Sequence, residues 1–362
     1  MRNPLLLVIL FGLLSGSLGA QNKKFDPNAG YIPVVAPEDK KKKADDVTQA
    51  LALPPELPEA VTADTNRLIF QVTPLSSKGL LSRQTRDALK ILLHSNREPI
   101  VKLRAFVAGS GDLRRVGDIT GEMFLEKHMP LPALTVAQVG ALPLEGAQIV
   151  MEATKEDRKI VNPAGVAFLA AQPAPSVAES IAKLKNMLAS AGMQPSDALL
   201  VTCFVSSLDS QRDTQQIMAA NFSGAALDYV QMQREPVTPA ASCEATARLS
   251  KPASSTAQIA AVSSPQIVIT GTQLAFGSQD GDLKLAFDRL EKALAAKNTR
   301  FDHAALSHLY VTSSALDQRV RALQSARSRG PSAVLPVEAL PSLDAPFGLE
   351  VIAVPDSAGP HP

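Results

Sequence analysis

The chain has 362 residues, of which 45% are hydrophobic, and this is enough apolar surface for several cores. Its formal net charge is +1, aromatic residues make up 4%, and tryptophan is absent. This composition lacks the basic surface and the stacking side chains that nucleic-acid binding usually needs. We therefore expect a folded protein with no nucleic-acid partner.

The first twenty residues have the features of an export signal. Arg2 is followed by an apolar run from Leu5 to Leu14 and by small residues that end at Ala20. The run is shorter than the roughly 20 apolar residues that a membrane-spanning helix needs. Residues 1–20 are therefore predicted to be a signal peptide, and the mature protein to be exported to the periplasm or outside the cell, with no membrane attachment.

Residues 21–63 are predicted to be a disordered linker. They contain the lysine run Lys40–Lys43, with acidic residues on both sides, and then several prolines. A lysine run can bind an anionic surface, but the neighbouring acidic residues cancel much of its local charge. A solvated tether is the interpretation that this composition favours.

Three times along the chain, a strand-like run ends in a turn of small residues and a new helix. The segments are Lys102 to Val116, Leu200 to Thr214 and Leu306 to Val320. Their spacing of roughly 100 residues is the size of a small domain, whereas solenoid units have about 20 to 50 residues. The sequence therefore predicts three copies of one domain, at residues 64–157, 158–263 and 264–355, and a tail at residues 356–362.

A helix precedes each of these strands, because apolar residues recur there in steps of three and four. The three apolar stripes begin at Leu81, Val177 and Leu283. Ser176 with Glu179 gives the second helix a capping box, and Gly192 suits its C-terminal end. Each copy has the order strand, helix, strand, helix, strand, strand, which predicts an α+β domain with helices on one sheet face.

Two strands are predicted to close each copy. They are residues 132–142 and 148–153, residues 239–249 and 257–262, and residues 331–340 and 348–354. In the second copy, Pro239–Cys243 reads P-A-A-S-C and is followed by A-R-L at Ala247–Leu249, while Gln84–Leu89 in the first copy reads Q-T-R-D-A-L. With these segments the chain resembles the RidA family, also called YjgF, of reactive enamine and imine deaminases, whose members carry P-A-R-S-C, A-R-L and Q-T-R-x-A-L.

The resemblance implies a chorismate-mutase-like α+β fold. Family members ordinarily form homotrimers with a substrate pocket at each subunit interface. Three fused copies can close such a ring within one chain, because a head-to-tail interface closes when its rotation does. We therefore expect three tandem RidA-like domains in an intrachain pseudo-trimer, and a monomer in solution.

In the family, the arginine of P-A-R-S-C holds the substrate carboxylate. Aligned on this motif, the arginine position falls on Leu134, Ala241 and Ala333. None of these side chains can make the bidentate, charge-assisted contact that a carboxylate prefers. The resemblance thus implies that substrate binding of the family type is lost in all three copies.

The family also uses a glutamate on the last strand to position the hydrolytic water. That position falls on Val150 and Gly348, whereas Glu152 and Glu350 match a structural glutamate two residues later. In the second copy, residues 249–279 contain no acidic residue at all. Because a general acid or base must lie within hydrogen-bonding reach of its proton, we expect no catalytic residue.

Further pocket-lining positions follow from the same resemblance. They are Ser242, Cys243, Gln172, Gly271 and Gln273. Cys243 is interpreted either as a ligand contact or as a buried strand residue. It could also pair with Cys203, the one other cysteine, if their Cα atoms lie within about 7 Å, and the sequence leaves this open.

No metal or cofactor site is predicted. His303 and His308 are the closest pair of histidines, but no acidic or cysteine ligand set accompanies them. No glycine-rich phosphate-binding motif is present either.

Two functions remain open at this point. The first is an exported, degenerate RidA-like protein that binds a small molecule or a partner in the clefts between its domains, or acts as a scaffold. The alternative is an active hydrolase of the RidA superfamily, either a deaminase of 2-iminobutanoate and 2-iminopropanoate or an enzyme with altered chemistry.

Overall fold

The computed structural model describes residues 53–95, 98–234, 238 and 240–356. The predicted signal peptide, most of the predicted linker and the end of the tail lie outside the described residues. The described part contains several mixed sheets with helices packed on them, so the predicted mixed α+β fold is confirmed. No helix in these ranges has the length and apolar character needed to cross a bilayer.

The first third of the described chain forms most of one sheet. Its elements are β1 (Ala60–Asp64), β2 (Leu68–Val72), α1 (Leu81–Ser95), β3 (Ile100–Ala108), α2 (Arg114–Glu126), β4 (Ala133–Val139) and β5 (Ile149–Glu156). Strands β2, β5, β3 and β4 pair in that order, with β3 and β4 parallel and the other pairs antiparallel. We call this sheet and its helices unit 1.

The middle of the chain repeats this arrangement as unit 2. Its elements are β6 (Val166–Ala174), α3 (Val177–Ser190), β7 (Ala198–Val205), α4 (Gln211–Asn221), β8 (Ala226–Gln231), β9 (Ala241–Arg248) and β10 (Ile259–Val262). The strand order is β10, β6, β9, β7, β8, and β7 and β8 are the parallel pair.

The last part of the chain forms unit 3. Its elements are β11 (Gln266–Thr270), β12 (Gln273–Ala275), α5 (Asp280–Ala295), β13 (Ala304–Val311), α6 (Asp317–Ser325), β14 (Ser332–Pro336) and β15 (Phe347–Ala353). The strand order is β1, β11, β15, β13, β14, and β12 pairs with β15 beside β11.

Strand β1 belongs to the sheet of unit 3, although it precedes unit 1 in the chain. Its residues pair with β11 from Ala60 opposite Thr270 to Asp64 opposite Gln266. Residues 60–63 fall within the range that the sequence analysis assigned to the linker. They are ordered here because β11 offers them an unpaired sheet edge.

The second unit closes differently from the prediction. Residues 241–248 form the inner strand β9, and residues 259–262 form the edge strand β10, which pairs with β6. The parallel strand that corresponds to β4 and β14 is β8 at residues 226–231, which the sequence analysis did not predict. The match of residues 239–243 with P-A-R-S-C placed the predicted strand too late in the chain, and the short apolar pattern of residues 226–231 was overlooked.

The helices of each unit cover one sheet face and form a separate apolar core. In unit 1, Leu89, Leu92 and Phe124 of the helices pack with Leu103 and Val107 of β3. Units 2 and 3 have equivalent cores. Burial of each such side chain stabilises the fold by about 1.5–3 kcal/mol relative to exposure, so these cores are the main local support of each sheet.

Helix α3 begins and ends where the sequence predicts. The Ser176 hydroxyl accepts a hydrogen bond from the Glu179 amide at 3.3 Å, and the carboxylate of Glu179 contacts the same hydroxyl at 3.0 Å. Gly192 follows the helix with φ of +72°, a conformation that glycine adopts without a Cβ clash.

Cys203 and Cys243 form a disulfide. They lie directly opposite each other on β7 and β9, with their Cα atoms 4.1 Å apart. Both sulfur atoms belong to the core between sheet and helices of unit 2, where Leu184 and Met218 also pack. The disulfide therefore links two inner strands of one unit and is remote from any cleft.

Reduction of this disulfide is expected to lower the free energy of unfolding by about 3 kcal/mol, because the bond restricts the unfolded chain. Urea unfolding in the absence and in the presence of dithiothreitol measures this difference in the free energy of unfolding. A Cys203→Ala/Cys243→Ala variant should show the lower stability in both conditions. Equal unfolding midpoints for the oxidised and reduced protein would contradict the prediction.

Candidate functional site: a buried ionic network and two clefts

The sheet faces that carry no helix meet in one region, which we call the junction. Two apolar clusters lie there, and each draws residues from all three units. The first cluster includes Phe106, Phe204 and Tyr310, and the second includes Leu68, Phe168 and Ile267. The apolar inner face of each sheet is therefore buried by the other two sheets.

Six charged side chains lie between these clusters along the strands. This ionic network consists of Lys102, Arg104, Glu152, Glu244, His308 and Glu350, all of which are buried. On β3, Val101 belongs to the second cluster, Arg104 to the network and Phe106 to the first cluster. The network is thus a polar layer with an apolar layer on either side.

Strand register gives the three glutamates corresponding positions. Glu152 lies opposite Arg104 of unit 1, Glu244 opposite Thr202 of unit 2, and Glu350 opposite His308 of unit 3. Each unit thus supplies one carboxylate from its inner antiparallel strand, whereas the residue facing it differs. The resemblance marked Glu152 and Glu350 as structural, and the register adds Glu244 to that set.

Arg104 joins unit 1 to unit 2. Its Nε donates to Glu152 of its own unit at 2.5 Å, and Nη1 and Nη2 both donate to one oxygen of Glu244 at 2.9 Å. The guanidinium also lies 5.2 Å from the ring centroid of Phe106 and 5.8 Å from that of Phe204. Such aromatic faces favour a cation electrostatically.

His308 and Lys102 complete the connection to unit 3 and back to unit 1. The imidazole Nε2 contacts Glu244 at 2.9 Å, and Nδ1 contacts Glu350 at 3.0 Å. Lys102 Nζ donates to the other oxygen of Glu350 at 2.5 Å. The ionic contacts therefore run from unit 1 through unit 2 and unit 3 and return to unit 1.

Three cations balance three carboxylates when His308 is protonated. Burial alone opposes the charged imidazole, but Glu244 and Glu350 outweigh it and raise the pKa of His308 to about 9. Burial also opposes ionisation of Glu350, yet Lys102 and His308 hold its pKa well below the ordinary value. A buried ion pair of this kind is stable only when every charge has its partner.

Hydroxyl groups satisfy the remaining carboxylate oxygens. Thr202 donates to Glu152 at 2.5 Å, Tyr310 donates to Glu350 at 2.7 Å, and Thr135 also donates to Glu350. All six oxygens of the three glutamates thus accept hydrogen bonds from the protein, as expected of buried carboxylates that support the fold. The cavity beside the network is about 70 Å³, which is room for a few water molecules.

Asp228 on β8 is the exception to this pattern of satisfied charges. It lies opposite Thr202, at the position that Thr135 has on β4 and Ala333 on β14. Its Oδ2 is buried and has no hydrogen-bond partner among the described residues. Burial and the nearby charge of Glu152 raise the pKa of Asp228 well above its ordinary value, which favours the neutral acid.

The register also corrects the alignment used for the missing arginine. Ala241 lies on β9 opposite Val205, and not on the strand that corresponds to β4. The corresponding strand is β8, whose sequence ALDYVQ contains no arginine. Leu134 lies on β4 and Ala333 on β14, but the register aligns Ala333 with Thr135 and not with Leu134, and neither strand contains an arginine. The residues assigned to the three copies are therefore not equivalent positions, but the absence of arginine from these three strands is unchanged.

The glutamate position is likewise clarified in unit 2. Ser242 lies opposite Phe204, just as Val150 lies opposite Phe106 and Gly348 opposite Tyr310. Ser242 therefore occupies the position of the family glutamate in unit 2, which the sequence alignment had placed beyond Leu249.

Three of the predicted pocket residues come together in one cleft, between units 1 and 3. Leu134, Gly271 and Gln273 line this 1–3 cleft, which has a volume of about 250 Å³. The segment before β1 passes over it, because the Gly271 amide donates to the carbonyl of Glu59 at 2.8 Å. Leu57 and Pro58 also line the cleft.

The other predicted residues are dispersed. Ser242 lines a second cleft of about 790 Å³ between units 2 and 3, together with Arg234 and Arg321. Gln172 turns its amide to the carbonyl of Ala170 at 2.8 Å. Ala333 and Ala241 are buried, and Cys243 is in the disulfide. The eight predicted residues therefore do not form a single pocket.

The sequence alone predicts no functional role for Lys102, Arg104 or Glu244, and it presents His308 only as part of a histidine pair without further metal ligands. A signal was present, since each of these charged residues stands within a run that otherwise predicts a buried strand, such as Lys102–Ala108. Charges inside such runs indicate buried partners. The sequence does not say which partners, because the ionic partners are 42 to 248 positions away.

Comparison with known proteins gives limited similarity. No family model matches the chain, and no curated protein matches it. Among solved structures, it is similar to yeast Mmf1 with 20% identity, covering 25% of this chain and 80% of that one, at a TM-score of 0.23. A member of the YjgF family from Mycobacterium tuberculosis is 22% identical, and the match covers 24% of this chain and 77% of that one at a TM-score of 0.22. RidA from an Antarctic Psychrobacter is 17% identical, and the match covers 28% of this chain and 91% of that one at a TM-score of 0.23.

Substitution of His308 should change the pH dependence of stability. Its pKa is raised from 6.5 to about 9 on folding, so its contribution is complete below pH 6.5 and is lost as the pH rises through 9. His308→Gln should be less stable than the wild type by an amount on the order of 3 kcal/mol near pH 6, and the difference should shrink towards pH 9.

Chemical unfolding at intervals between pH 6 and pH 9.5 measures this difference. Glu244, Glu350, Arg104 and Tyr310 surround His308 and are retained in the variant. The exposed His94 provides the control, and His94→Gln should stay within about 0.5 kcal/mol of the wild type at every pH. If His308→Gln lowers the free energy of unfolding by the same amount at pH 6 and pH 9, the stabilising role of the imidazolium is refuted.

Substitution of Asp228 should have the opposite effect. A raised pKa in the folded state means that stability is lost as the pH rises above the unfolded value of about 4. Asp228→Asn keeps the shape without the ionisable proton, so it should stabilise the protein at pH 8 by about 1 kcal/mol or more. The gain should be smaller at pH 5, and Asp209→Asn in an exposed loop should show no such trend. A loss of stability at pH 8 would show that Asp228 is ionised and paired.

Proposed function

We propose that this protein is an exported, catalytically degenerate RidA-like protein that serves as a binding scaffold and not as a deaminase. In this proposal, units 1, 2 and 3 are three tandem RidA-like domains, and they form a pseudo-trimer within one monomeric chain. The shared order of strand, helix, strand, helix, strand, strand in the three units supports this organisation.

The absence of both family catalytic groups carries the proposal. Strands β4, β8 and β14 contain no arginine, and the glutamate position holds Val150, Ser242 and Gly348. Without a guanidinium, a substrate carboxylate loses its charge-assisted contacts. Without a carboxylate at the second position, no group is placed to direct water at an imine.

The space for the missing glutamate is also filled in unit 3. A Cβ atom at Gly348 would come within 2.8 Å of the Thr272 methyl group and within 3.2 Å of Leu274. A longer side chain at this position would require the side chains of Thr272 and Leu274 to shift. The packing around Gly348 thus suits a residue without a side chain.

Closure of the ring inside one chain is supported by hydrogen bonds at all three interfaces. The Gly140 amide donates to the Gln231 carbonyl at 2.8 Å between units 1 and 2. Gln233 Nε2 donates to the Val337 carbonyl at 3.0 Å between units 2 and 3. The Gln138 amide donates to the Ala339 carbonyl at 2.8 Å between units 1 and 3. A head-to-tail arrangement with three such interfaces needs no further copy to close.

Export is supported by the signal-like residues 1–20 and by the disulfide between Cys203 and Cys243. Disulfides persist in oxidising compartments and are rare where thiols are kept reduced.

A direct assay tests the proposal. Purified protein spanning Gln21 to Pro362 should hydrolyse freshly generated 2-iminobutanoate at least about 30-fold more slowly than an active RidA deaminase, because the lost arginine contact alone costs about 2–5 kcal/mol. The same deaminase without its catalytic glutamate sets the background rate. Turnover within about tenfold of the active control would overturn the scaffold function, since that difference is smaller than the loss of one buried charge pair.

A further inference from the structure

We propose that the 1–3 cleft binds a small, uncharged cyclic amide, such as a lactam or a cyclic imide, through the carboxamide of Gln273. This inference deepens the proposed scaffold function and rests on it, because a cleft with the family's charged groups would select an anionic substrate instead.

Gln273 is the observation that points to a ligand. The residue lies at the start of β12, is 9% exposed, and lines the 1–3 cleft. Among the described residues, its carboxamide has no hydrogen-bond partner in the protein. A carboxamide has two donor hydrogens and one acceptor oxygen, so this side chain is available to a ligand that enters the cleft.

Other buried glutamines of this chain do have partners. Gln84, which is 2% exposed, donates to the carbonyls of Gly79 and Gly146 at 3.0 Å. Gln172 donates to the Ala170 carbonyl, and Gln324 donates to the Ser328 carbonyl at 3.3 Å. Each of these side chains holds backbone segments of the fold in place, whereas Gln273 lines a cleft. A mostly buried carboxamide with no partner among the described residues can form its hydrogen bonds with a ligand in that cleft.

The surroundings of Gln273 favour a neutral ligand. The walls of the 1–3 cleft are largely apolar and are formed by Leu113, Leu134, Val136 and Leu274. Arg114 and Glu59 are the charged residues among the described lining residues, but both are mostly exposed, and Arg114 pairs with Asp112 at 3.2 Å. A carboxylate entering the cleft would lose its hydration and gain no dedicated counter-charge.

The floor beside Gln273 is fixed in place by unit 1. The Thr272 amide donates to the Leu134 carbonyl at 3.2 Å, and the Thr272 hydroxyl donates to that of Thr135 at 2.7 Å. Gly271 leaves no room for change, because a Cβ atom there would lie 3.0 Å from the Leu134 oxygen. The carboxamide is therefore attached to a backbone that both units hold in position, which reduces the ordering cost of binding.

The geometry of a carboxamide selects the type of amide. Its N–H and C=O lie on one edge, so two parallel hydrogen bonds require a partner with N–H and C=O on the same side. Ordinary trans amides present these groups on opposite sides, whereas a small ring forces the cis arrangement. The cleft volume of about 250 Å³ is below the usual range of about 300–1,000 Å³ for ligand pockets, so the ring must be small.

Binding of defined probes tests this inference. The probes are 2-pyrrolidinone, glutarimide and uracil, with N-methyl-2-pyrrolidinone as the matched compound that lacks the N–H group. Protein-observed NMR titration of the chain from Gln21 to Pro362 should give saturable shifts for at least one probe. N-methylation should weaken binding by about tenfold or more, because both hydrogen bonds depend on the planar edge.

Two variants connect binding to the residue. Gln273→Leu should weaken binding of the same probe by about tenfold or more and should leave the protein folded, because the Gln273 carboxamide makes no hydrogen bond to the described residues. Ser242→Ala, in the cleft between units 2 and 3, is the matched control and should bind as the wild type does. Absence of saturable binding for all probes, or equal binding by wild type and Gln273→Leu, would overturn the inference.

The outcome is independent of the deaminase assay. Lactam binding together with rapid imine hydrolysis would refute the scaffold function and leave Gln273 as a ligand contact. If the protein neither binds a lactam nor hydrolyses the imine, the present inference is refuted and the scaffold function is not.

Discussion

The contact between Arg104 and Glu244 is the interaction on which the rest of the structure depends. It carries a buried charge from unit 1 to a buried charge of unit 2, and His308 passes the connection on to Glu350 of unit 3. Lys102 of unit 1 and Glu244 of unit 2 have their ionic partners in other units, so separating any one unit would leave at least one of these buried charges without its partner in an apolar layer. The energetic cost of an unpaired buried charge, several kcal/mol, exceeds what most single contacts contribute. The three units are therefore interdependent.

A single chain allows an asymmetry that three identical subunits could not have. The residues facing the three glutamates are arginine, threonine and histidine at positions 104, 202 and 308. Identical subunits would place the same residues three times: three threonines would supply no cation for the three carboxylates, and three copies of the Lys102 and Arg104 pair would supply six. In one chain, Lys102 and Arg104 of unit 1 can supply two cations and His308 the third. The charged groups thus serve the junction, while the 1–3 cleft is lined mainly by apolar and neutral side chains.

Local features were predictable from the sequence, whereas long-range pairing was not. The ends of α3 followed from Ser176 and Gly192, because capping depends on residues within one turn. Residues Pro239–Cys243 misled the alignment, since a short motif gives the spacing of side chains but not the strand beside which they lie. The disulfide and the ionic network depend on register between distant strands, and one residue of slip would turn Cys243 or Glu244 to the other face. Only the folded arrangement supplies that register.

Strand β1 has a consequence for how the units are delimited. It precedes unit 1 but pairs with β11 of unit 3, and β10 directly precedes unit 3 but pairs with β6 of unit 2. In the same way, the segment before unit 2 donates from Asp157 and Val161 to backbone carbonyls at Arg67 and Asn66 of unit 1. Each connection thus extends the sheet edge of the neighbouring unit, as if the order of sheets were cyclic and the chain had been opened at one point. Domain boundaries drawn immediately before β2, β6 and β11 place two of the three connecting segments with the unit to which they bond. The third segment, β1, lies at the opposite end of the described chain from the other strands of its sheet in unit 3.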